Sequence, residues 1–394
     1  MNGLVDTKQA KELAAVEADG RLRSLKEMGS RSGKWIDYEG RRMLNLSSND
    51  YMGYASDREL VKTFHDQRSD DNLLDEYGLG SSASRLLSGN HSAYRQLEAL
   101  LENLYGQPAL IFSSGYHANI GVLSSLADRD DLILLDKLVH ASVLDGTRLA
   151  VAERQRYRHL DMAHLKKILE AKRNRYKKVF VVTESVFSMD GDVADLSALV
   201  KLKEEFDLTL YVDEAHAVGT RGARGLGVAE EQGVLPDVDI LIGTFGKSVG
   251  GMGAFVVCRP LIKEYLVNTS RSLIFTTGLP PIIVRWNQWI IENMCRDGER
   301  RDRVSSLAER FRTRLGEMGL ATAGDSQIVP VIVGENQKAV DLAQRLRDKG
   351  FLVFAIRPPT VPPGTARLRF SLSSNMNWED LSGMFPVLAG EDSQ

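Results

Sequence analysis

Asp213 and His216 in TLYVDEAHAVG (209–219), followed by Lys247 in TFGKSVGG (244–251), have the types and order that imine chemistry on a ring cofactor requires. A lysine amine condenses reversibly with an aldehyde to a Schiff base. A ring nitrogen that must stay protonated to draw electrons from a carbanion needs a carboxylate beside it, because a nearby negative charge favours the protonated form. Asp213 suits that role. The apolar run Leu208, Leu210, Tyr211 and Val212 reads as a buried parallel strand ending at Asp213, and the sites of open parallel sheets lie at such ends. These residues predict pyridoxal 5′-phosphate as the cofactor, with Lys247 as its anchor.

Two other readings of the same letters are weaker. GKS resembles the end of a phosphate-binding P-loop, but that loop needs glycine five residues before Gly246, where this chain has Leu241. Glu214 beside Asp213 suggests a metal site, and no second His or Cys cluster supports one.

The elements that must position these residues follow from composition and periodicity. The chain has 394 residues, 43% apolar and 26% charged, with a formal net charge of −3. That composition suits a protein of two or three domains with a sizeable core and offers no basic face for nucleic acid. No apolar stretch is long enough to span a bilayer, and the opening MNGLVDTKQAKELAAVEADG is too polar for a signal peptide. Two cysteines, Cys258 and Cys295, make no disulfide framework, so a reducing cytoplasm is expected.

Leucines and alanines at helical spacing predict a long amphipathic helix over 4–30. WIDYEGRRMLNL predicts a hairpin turning at Glu39-Gly40. The first segment of the chain, 1–54, is taken as this helix and hairpin. From 55 to 280, helical stretches alternate with PALIFSSG (108–115), DLILLD (131–136), KVFVVTES (178–185), LTLYVDE (208–214), ILIGTF (240–245) and AFVVC (254–258). This is the pattern of an α/β domain, a mostly parallel sheet wrapped by helices. Residues 281–394, with IVPVIV (328–333), FLVFAI (351–356) and ARLRFSL (366–372), read as a smaller α+β domain. In ARLRFSL, Arg367, Arg369 and Ser371 share one face. An arginine fork there suits an amino-acid carboxylate, and a solvated edge strand is the alternative.

Over nearly the whole chain, from NLSSNDYMGYA (45–55) to ARLRFSL, the sequence resembles the α-oxoamine synthase family of pyridoxal-phosphate enzymes. The resemblance implies the fold-type I aminotransferase-like architecture and a carbon–carbon bond-forming reaction. It also implies roles for residues in the matching motifs. In SSGYHAN (113–119), Ser114, Gly115 and Tyr116 would meet the cofactor phosphate at a strand-to-helix turn. His140, in DKLVHAS (136–142), would lie flat on the ring. In TESVFSMDGD (183–192), Ser188 would reach the phenolic oxygen together with His216, and Glu184 would stand near the ring and substrate. Thr244 would bind the phosphate, and Thr276 and Thr277, in SRSLIFTTGLPP (270–281), would do so from the second subunit of a homodimer. Arg369 and Asn49 would hold the substrate carboxylate. The remaining histidines, His65, His159 and His164 among them, are read as surface or packing residues.

The Pro-rich stretch AIRPPTVPPGTARLR (355–369) points, within that family, to the member of the biotin pathway that joins L-alanine to a pimeloyl thioester, with Thr360 as a further substrate contact. The acyl donor would be pimeloyl-CoA or a pimeloyl carrier protein. A sister reaction with glycine and acetyl-CoA, and a regulatory subunit on the same scaffold, are the competing expectations. The chain departs from the family in GLGSSASRLLSGNHS (78–92), where Ser82 and Ala83 stand at positions that commonly hold glycine, in the loop near the acyl-thioester channel.

Overall fold

The computed structural model describes residues 4–68 and 78–391. The chain divides into two compact units, Asn49–Ser188 with Asp192–Arg303, and Met1–Ser48 with Met189–Gly191 and Val304–Gln394.

In the smaller unit, the N-terminal helix runs from Leu4 to Ala18, not to residue 30. It is stopped by Gly20, at φ +63°, with the Arg21 N–H returning to Val16 O in a C-terminal capping turn. Residues 7–18 are exposed apart from the half-buried Val16, so this stretch presents no buried face. Short strand β1 (Arg31–Ser32) pairs with β2 (Trp35–Tyr38), which turns into β3 (Arg41–Asn45). Glu39 and Gly40 both have positive φ, as a two-residue hairpin turn of matching twist demands.

The larger unit is built on a seven-stranded sheet. Its strands are β4 (Ala109–Phe112), β5 (Leu132–Asp136), β6 (Glu153–Tyr157), β7 (Val179–Glu184), β8 (Thr209–Asp213), β9 (Ile240–Thr244) and β10 (Ala254–Cys258). Their order is β4-β10-β9-β8-β7-β5-β6, all running one way except β10, which is antiparallel to both neighbours. Every residue of β4, β5, β7, β9 and β10 is buried, as a sheet covered on both faces requires. Each buried Val, Leu or Ile side chain contributes about 1.5–3 kcal/mol relative to exposure. Edge strand β6, ERQRY, is the exception: charged, largely exposed and unrecognised by an apolar pattern. Such charges keep a free edge from pairing with another chain.

Two helices behind the carboxyl ends of these strands come unusually close. Helix Ala141–Leu149 carries Gly146, where an added Cβ would lie 2.7 Å from the carbonyl oxygen of Asn119 in helix Gly115–Leu126. Only a residue without a side chain permits that approach.

The last strands belong to the smaller unit: β11 (Ile328–Gly334), β12 (Phe351–Leu352), β13 (Ala355–Ile356) and β14 (Ala366–Ser371). The run FLVFAI is therefore two strands rather than one. β12 pairs in parallel with β3, whereas β13 joins β14 in a separate three-stranded sheet, β11-β14-β13. The β3–β12 pairing makes the N-terminal hairpin part of the C-terminal unit instead of a segment on its own. Leu44, Phe311, Val329, Phe351, Leu368 and Phe370 share one core. The 280/281 boundary moves as well. Helix Pro281–Met294 buries Val284, Trp286, Trp289 and Ile290 within the larger unit, with Trp286 Nε1 donating to Val249 O, and the division falls inside helix Gly298–Glu317.

In the loop at 78–90, one of the two residues expected as glycine, Ser82, takes a backbone conformation that glycine adopts more easily. Ser82 has φ +51°, in the left-handed region, while Gly278 N–H donates to Ala83 O and Ser84 bridges to Thr277. A residue with a Cβ costs about 1–2 kcal/mol in that conformation. Ser82→Gly is expected to raise stability by up to about 1 kcal/mol; a urea midpoint that stays put or falls would show that the Ser82 side chain offsets the backbone cost.

Candidate active site

The carboxyl ends of β5, β7, β8 and β9, with the turn after β4, surround one cavity of the larger unit. Its walls include Gly115, Tyr116, Asn119, His140, Ser142, Glu184, Asp213, His216, Thr244 and Lys247. Eight of the residues singled out in the sequence therefore meet at one place. Ser114, Ser188, Thr276 and Thr277 are in the same unit but outside this lining, and Asn49 joins it through a hydrogen bond described below. Arg369 and Thr360 belong to the smaller unit.

Asp213 ends β8 with both oxygens engaged. Oδ1 accepts from the Ala215 N–H at 2.9 Å, and Oδ2 from Asn119 Nδ2 at 2.8 Å. The second Asn119 amide hydrogen goes to Ser142 Oγ at 2.9 Å, and its Oδ1 accepts from Tyr211 Oη at 2.5 Å. Asn119 is thereby oriented without ambiguity among buried neighbours. Ser142 passes the constraint on: its N–H donates to His140 Nδ1 at 3.2 Å, and its hydroxyl lies 2.7 Å from the same nitrogen. His140 Nδ1 is thus an acceptor, so the neutral ring carries its proton on Nε2. Burial lowers the His140 pKa; Asp213 pulls it up and Lys247 pushes it down.

Lys247 is half-buried on a turn tied at both ends. Its carbonyl accepts from the Gly250 N–H at 2.9 Å, while Thr244 Oγ1 accepts from Gly246 N–H and donates to Gly253 O. Gly250 has φ +67° and packs so closely on Ala55 that a Cβ would meet the Ala55 backbone nitrogen at 2.6 Å. Opposite, Glu184 pairs in register with Asp213 on the neighbouring strand. Its carboxyl is pushed up to about 8 by burial, with the Asp213 charge adding to the effect and Lys247 opposing it. Both causes favour its protonated form. Glu184 Oε1 is buried without a hydrogen-bond partner, a polar atom aimed into a cavity that a polar ligand would fill.

His216 is held from outside the strand ends. Tyr51 Oη donates to Asn49 Oδ1 at 3.0 Å, leaving His216 Nδ1 to donate to Tyr51 at 2.8 Å. Ser114 caps helix Gly115–Leu126, accepting from His117 N–H at 3.2 Å, and Tyr116 donates to Asp145. Glu214, the possible metal ligand, is instead a structural anchor. Burial pushes its carboxyl up to about 7, against the pull of Ser185 Oγ and the N–H groups of Ala229 and Val228. Among the described residues no cluster of His, Cys, Asp or Glu is arranged to hold a metal.

Sequence reasoning missed Asn119, Ser142 and Tyr51. The first two close the motifs SSGYHAN and DKLVHAS, and Tyr51 sits in NDYMGYA. Asn119 had a signal: it is four residues from Gly115 and so shares its helix face. His159 is also more than a packing residue. Nδ1 lies 2.8 Å from Asp136 Oδ1 at the end of β5, Nε2 3.1 Å from Asp192 Oδ2, and its ring meets Phe187 edge-on at 4.4 Å.

The donor set fits pyridoxal 5′-phosphate: a lysine amine, a carboxylate fixed by two donors at a strand end, a neutral imidazole, and a capped helix start. Residues 41–383 match the family described as aminotransferase class I and II. The chain belongs to that family, in its α-oxoamine synthase branch. The 8-amino-7-oxononanoate synthase of Haemophilus ducreyi is 48% identical over 389 residues, 96% of this chain and 99% of the relative. The protein of the same name from Chlorobaculum parvum is 47% identical, over 95% and 96% of the two chains. Among solved structures, the serine palmitoyltransferase of Sphingomonas wittichii superposes with a TM-score of 0.89 at 34% identity, over 99% and 98% of the chains. The 8-amino-7-oxononanoate synthase of Francisella tularensis does so at 0.75 and 28%, over 89% and 97%. The S. paucimobilis serine palmitoyltransferase, 31% identical over 99% and 98% of the chains with a TM-score of 0.88, was solved with PLP and myriocin bound.

The His159 bridge carries a pH prediction. Burial opposes its charge, but the bonds and charges of Asp136 and Asp192 outweigh that and raise its pKa to about 9 from 6.5. A folded value above the unfolded one stabilises fully below the unfolded pKa, and the contribution is lost as pH rises through about 9. His159→Gln is expected to cost about 2 kcal/mol near neutrality, the scale of a charged hydrogen bond. The melting-temperature gap to wild type should close by about pH 10, and a gap constant across that range would rule out a charged imidazole there.

Proposed function

We propose that this chain is an acyltransferase that condenses L-alanine with a pimeloyl thioester, releasing carbon dioxide and the free thiol and giving 8-amino-7-oxononanoate in biotin biosynthesis. The observation that carries this reading is the convergence of Lys247, Asp213, His140 and His216 on one cavity, in a chain nearly half identical to full-length relatives bearing that enzyme's name.

Pyridoxal 5′-phosphate supplies, when bound, an electron sink for the negative charge that develops at the amino-acid Cα. The chain's own residues do the rest. Lys247 would anchor the cofactor and, once released, take the Cα proton on Nζ and later return it. Asp213, kept in place by Asn119 and Ala215, would face the ring nitrogen, and His140, neutral and protonated on Nε2, the ring plane. Ser114, Gly115, Tyr116 and Thr244 suit the phosphate, joined by Thr276 and Thr277 of a second copy in a homodimer. Ser188 and His216 suit the phenolic oxygen, with Glu184 beside the ring as a protonated carboxyl able to donate. Arg369, Asn49 and Thr360 are assigned to the substrate.

Arg369 lies on the central strand β14 and donates to Ser371 Oγ at 2.6 Å. Its neighbour Arg367 is 4% exposed and ion-paired to Asp190. The pair therefore does not form a solvated edge strand, and the assignment of Arg369 to a substrate carboxylate rests on the resemblance of ARLRFSL to the family's motif. The acyl group would arrive on CoA or on a carrier protein, since both present the same thioester arm. No described helix is long and apolar enough to cross a membrane, which is compatible with a cytoplasmic enzyme.

The test is free-thiol release from pimeloyl-CoA by the cofactor-loaded protein, with L-alanine, glycine and L-serine in parallel. Release with L-alanine alone is expected. Release with glycine and acetyl-CoA, or with L-serine and palmitoyl-CoA, and none with L-alanine would replace this reading by a sister reaction. Lys247→Ala should abolish turnover while leaving the fold intact. Arg369→Ala should raise the KM for the amino acid roughly tenfold or more, the scale of a lost charged hydrogen bond. An unchanged KM would move the carboxylate site elsewhere.

A further inference from the structure

Residues 49–57 meet the groups around the cavity at two points. Near the start of the stretch, Tyr51 Oη lies 3.0 Å from Asn49 Oδ1 and 2.8 Å from His216 Nδ1. Near its end, Ala55 is the surface on which Gly250 rests, and the Gly250 N–H closes the turn of Lys247 by donating to the Lys247 carbonyl. The stretch has little regular structure of its own. It holds a single 3-10 turn, Tyr54–Ser56, entered through Gly53 at φ +73°. Yet Tyr51 and Met52 are 0% exposed and Tyr54 is 1% exposed, so its course is fixed by contacts from outside it.

Arg300, in the first turn of helix Gly298–Glu317, makes the strongest of these. Its Nη1 donates to Met52 O at 3.0 Å and its Nη2 to Asp57 Oδ2 at 2.7 Å. Its Nε lies 3.2 Å from Asp297 Oδ2, the oxygen that also accepts from Tyr54 Oη at 3.0 Å. The guanidinium stands 5.0 Å from the centre of the Tyr54 ring. All three nitrogens of the fork are engaged, and every contact falls on residues 52–57 or on the carboxylate that binds Tyr54. A lysine, a single point charge, could not make the three at once. Met52 follows Tyr51 and Tyr54 precedes Ala55, so the points gripped are the immediate neighbours of the two points that matter. Consecutive Cα atoms are held at about 3.8 Å, and a shift at one is passed to the next.

We infer that Arg300 is a positioning residue: by gripping Met52, Tyr54 and Asp57 it sets Tyr51 on His216 and Ala55 against the Lys247 turn, and so fixes the imidazole and the amine relative to each other. The inference rests on the reading of Lys247 and His216 as cofactor-facing groups, not on the identity of the amino acid or the acyl donor. Arg300 itself is outside the cavity lining. Groups that must address one ring tolerate little error, since misplacement by about 1 Å can cost about a hundredfold in rate.

The test uses the cofactor-loaded full chain. The absorbance band of the cofactor on Lys247 is titrated against pH without substrate, beside the melting temperature, for Arg300→Gln, Arg300→Lys, Asp57→Asn and Tyr51→Phe. Asp57→Asn is the mildest change, because asparagine can still accept from the Leu60 N–H that Asp57 Oδ1 now holds at 3.1 Å. Arg300→Gln is expected to move the pH midpoint of the band by about half a unit or more, roughly a threefold change in proton affinity. Asp57→Asn should move it the same way by less, and Arg300→Lys should recover part of the shift. In a Tyr51→Phe background, where the link to His216 is already cut, the Arg300→Gln shift should shrink by about half, because effects that run through one contact do not add. With L-alanine and pimeloyl-CoA, kcat per loaded site should fall about tenfold with little change in the KM for the amino acid.

A lower melting temperature with an unmoved midpoint would overturn the inference, because Arg300 would then only hold the fold. An undiminished shift in the Tyr51→Phe background would overturn it too, since the imidazole would not be on the route. If Arg300→Gln fails to load cofactor, Asp57→Asn decides on the same readings. Should the thiol-release assay fail with every substrate while the midpoint shifts as expected, the condensation reading falls and this inference stands. A wild-type protein without a band that Lys247→Ala abolishes would overturn both.

Discussion

The amide of Asn119 gives one hydrogen to Asp213 and the other to Ser142, and the cavity at the strand ends depends on that division. The carboxylate at the end of β8 is aimed by one bond, and the imidazole of His140 is set through Ser142 by the other. Tyr211, on the same strand as Asp213, closes the arrangement by donating to the Asn119 carbonyl. None of this would hold if the helices carrying Asn119 and Ser142 were further apart. Gly146 is the residue that lets them touch. A single missing side chain thus sets the geometry of two groups that chemistry requires to be rigid.

The electrostatics follow from the same packing. Asp213 and Glu184 end adjacent strands of a sheet buried on both faces, where two negative charges side by side are expensive. The two groups are treated differently. Asp213 accepts from two N–H donors, one on each oxygen, while Glu184 keeps an unpartnered oxygen and its carboxyl is pushed up by burial first and by the Asp213 charge second. Glu214, next in sequence to Asp213 and equally buried, has a third role, binding the turn at Val228 and Ala229.

The sheet was legible wherever burial on both faces made a strand continuously apolar, which is why six of its seven strands stand out as runs of Val, Ile, Leu and Phe. β6 did not, because an edge strand with one free side carries charges that erase the pattern. The N-terminal helix was overextended for a related reason. Leucine spacing continues past Ala18, but Gly20 stops the helix by adopting a left-handed conformation that periodicity does not register. FLVFAI reads as one strand since nothing local says that its two halves pair with different sheets.

Read alone, the amino-acid order supplied the candidate residues, a lysine, an aspartate and two histidines in recognisable motifs, and the alternation that encodes the sheet. Those are local properties of composition and spacing. Which polar groups meet is a matter of how the folded chain packs. Asn119 and Asp213 are 94 positions apart, Tyr51 and His216 are 165, and Arg23 and Thr360 are 337. Contacts at such separations exist only once the chain has closed on itself, so their hydrogen bonds, shifted pKa values and neighbouring charges are consequences of packing that no short window of sequence contains.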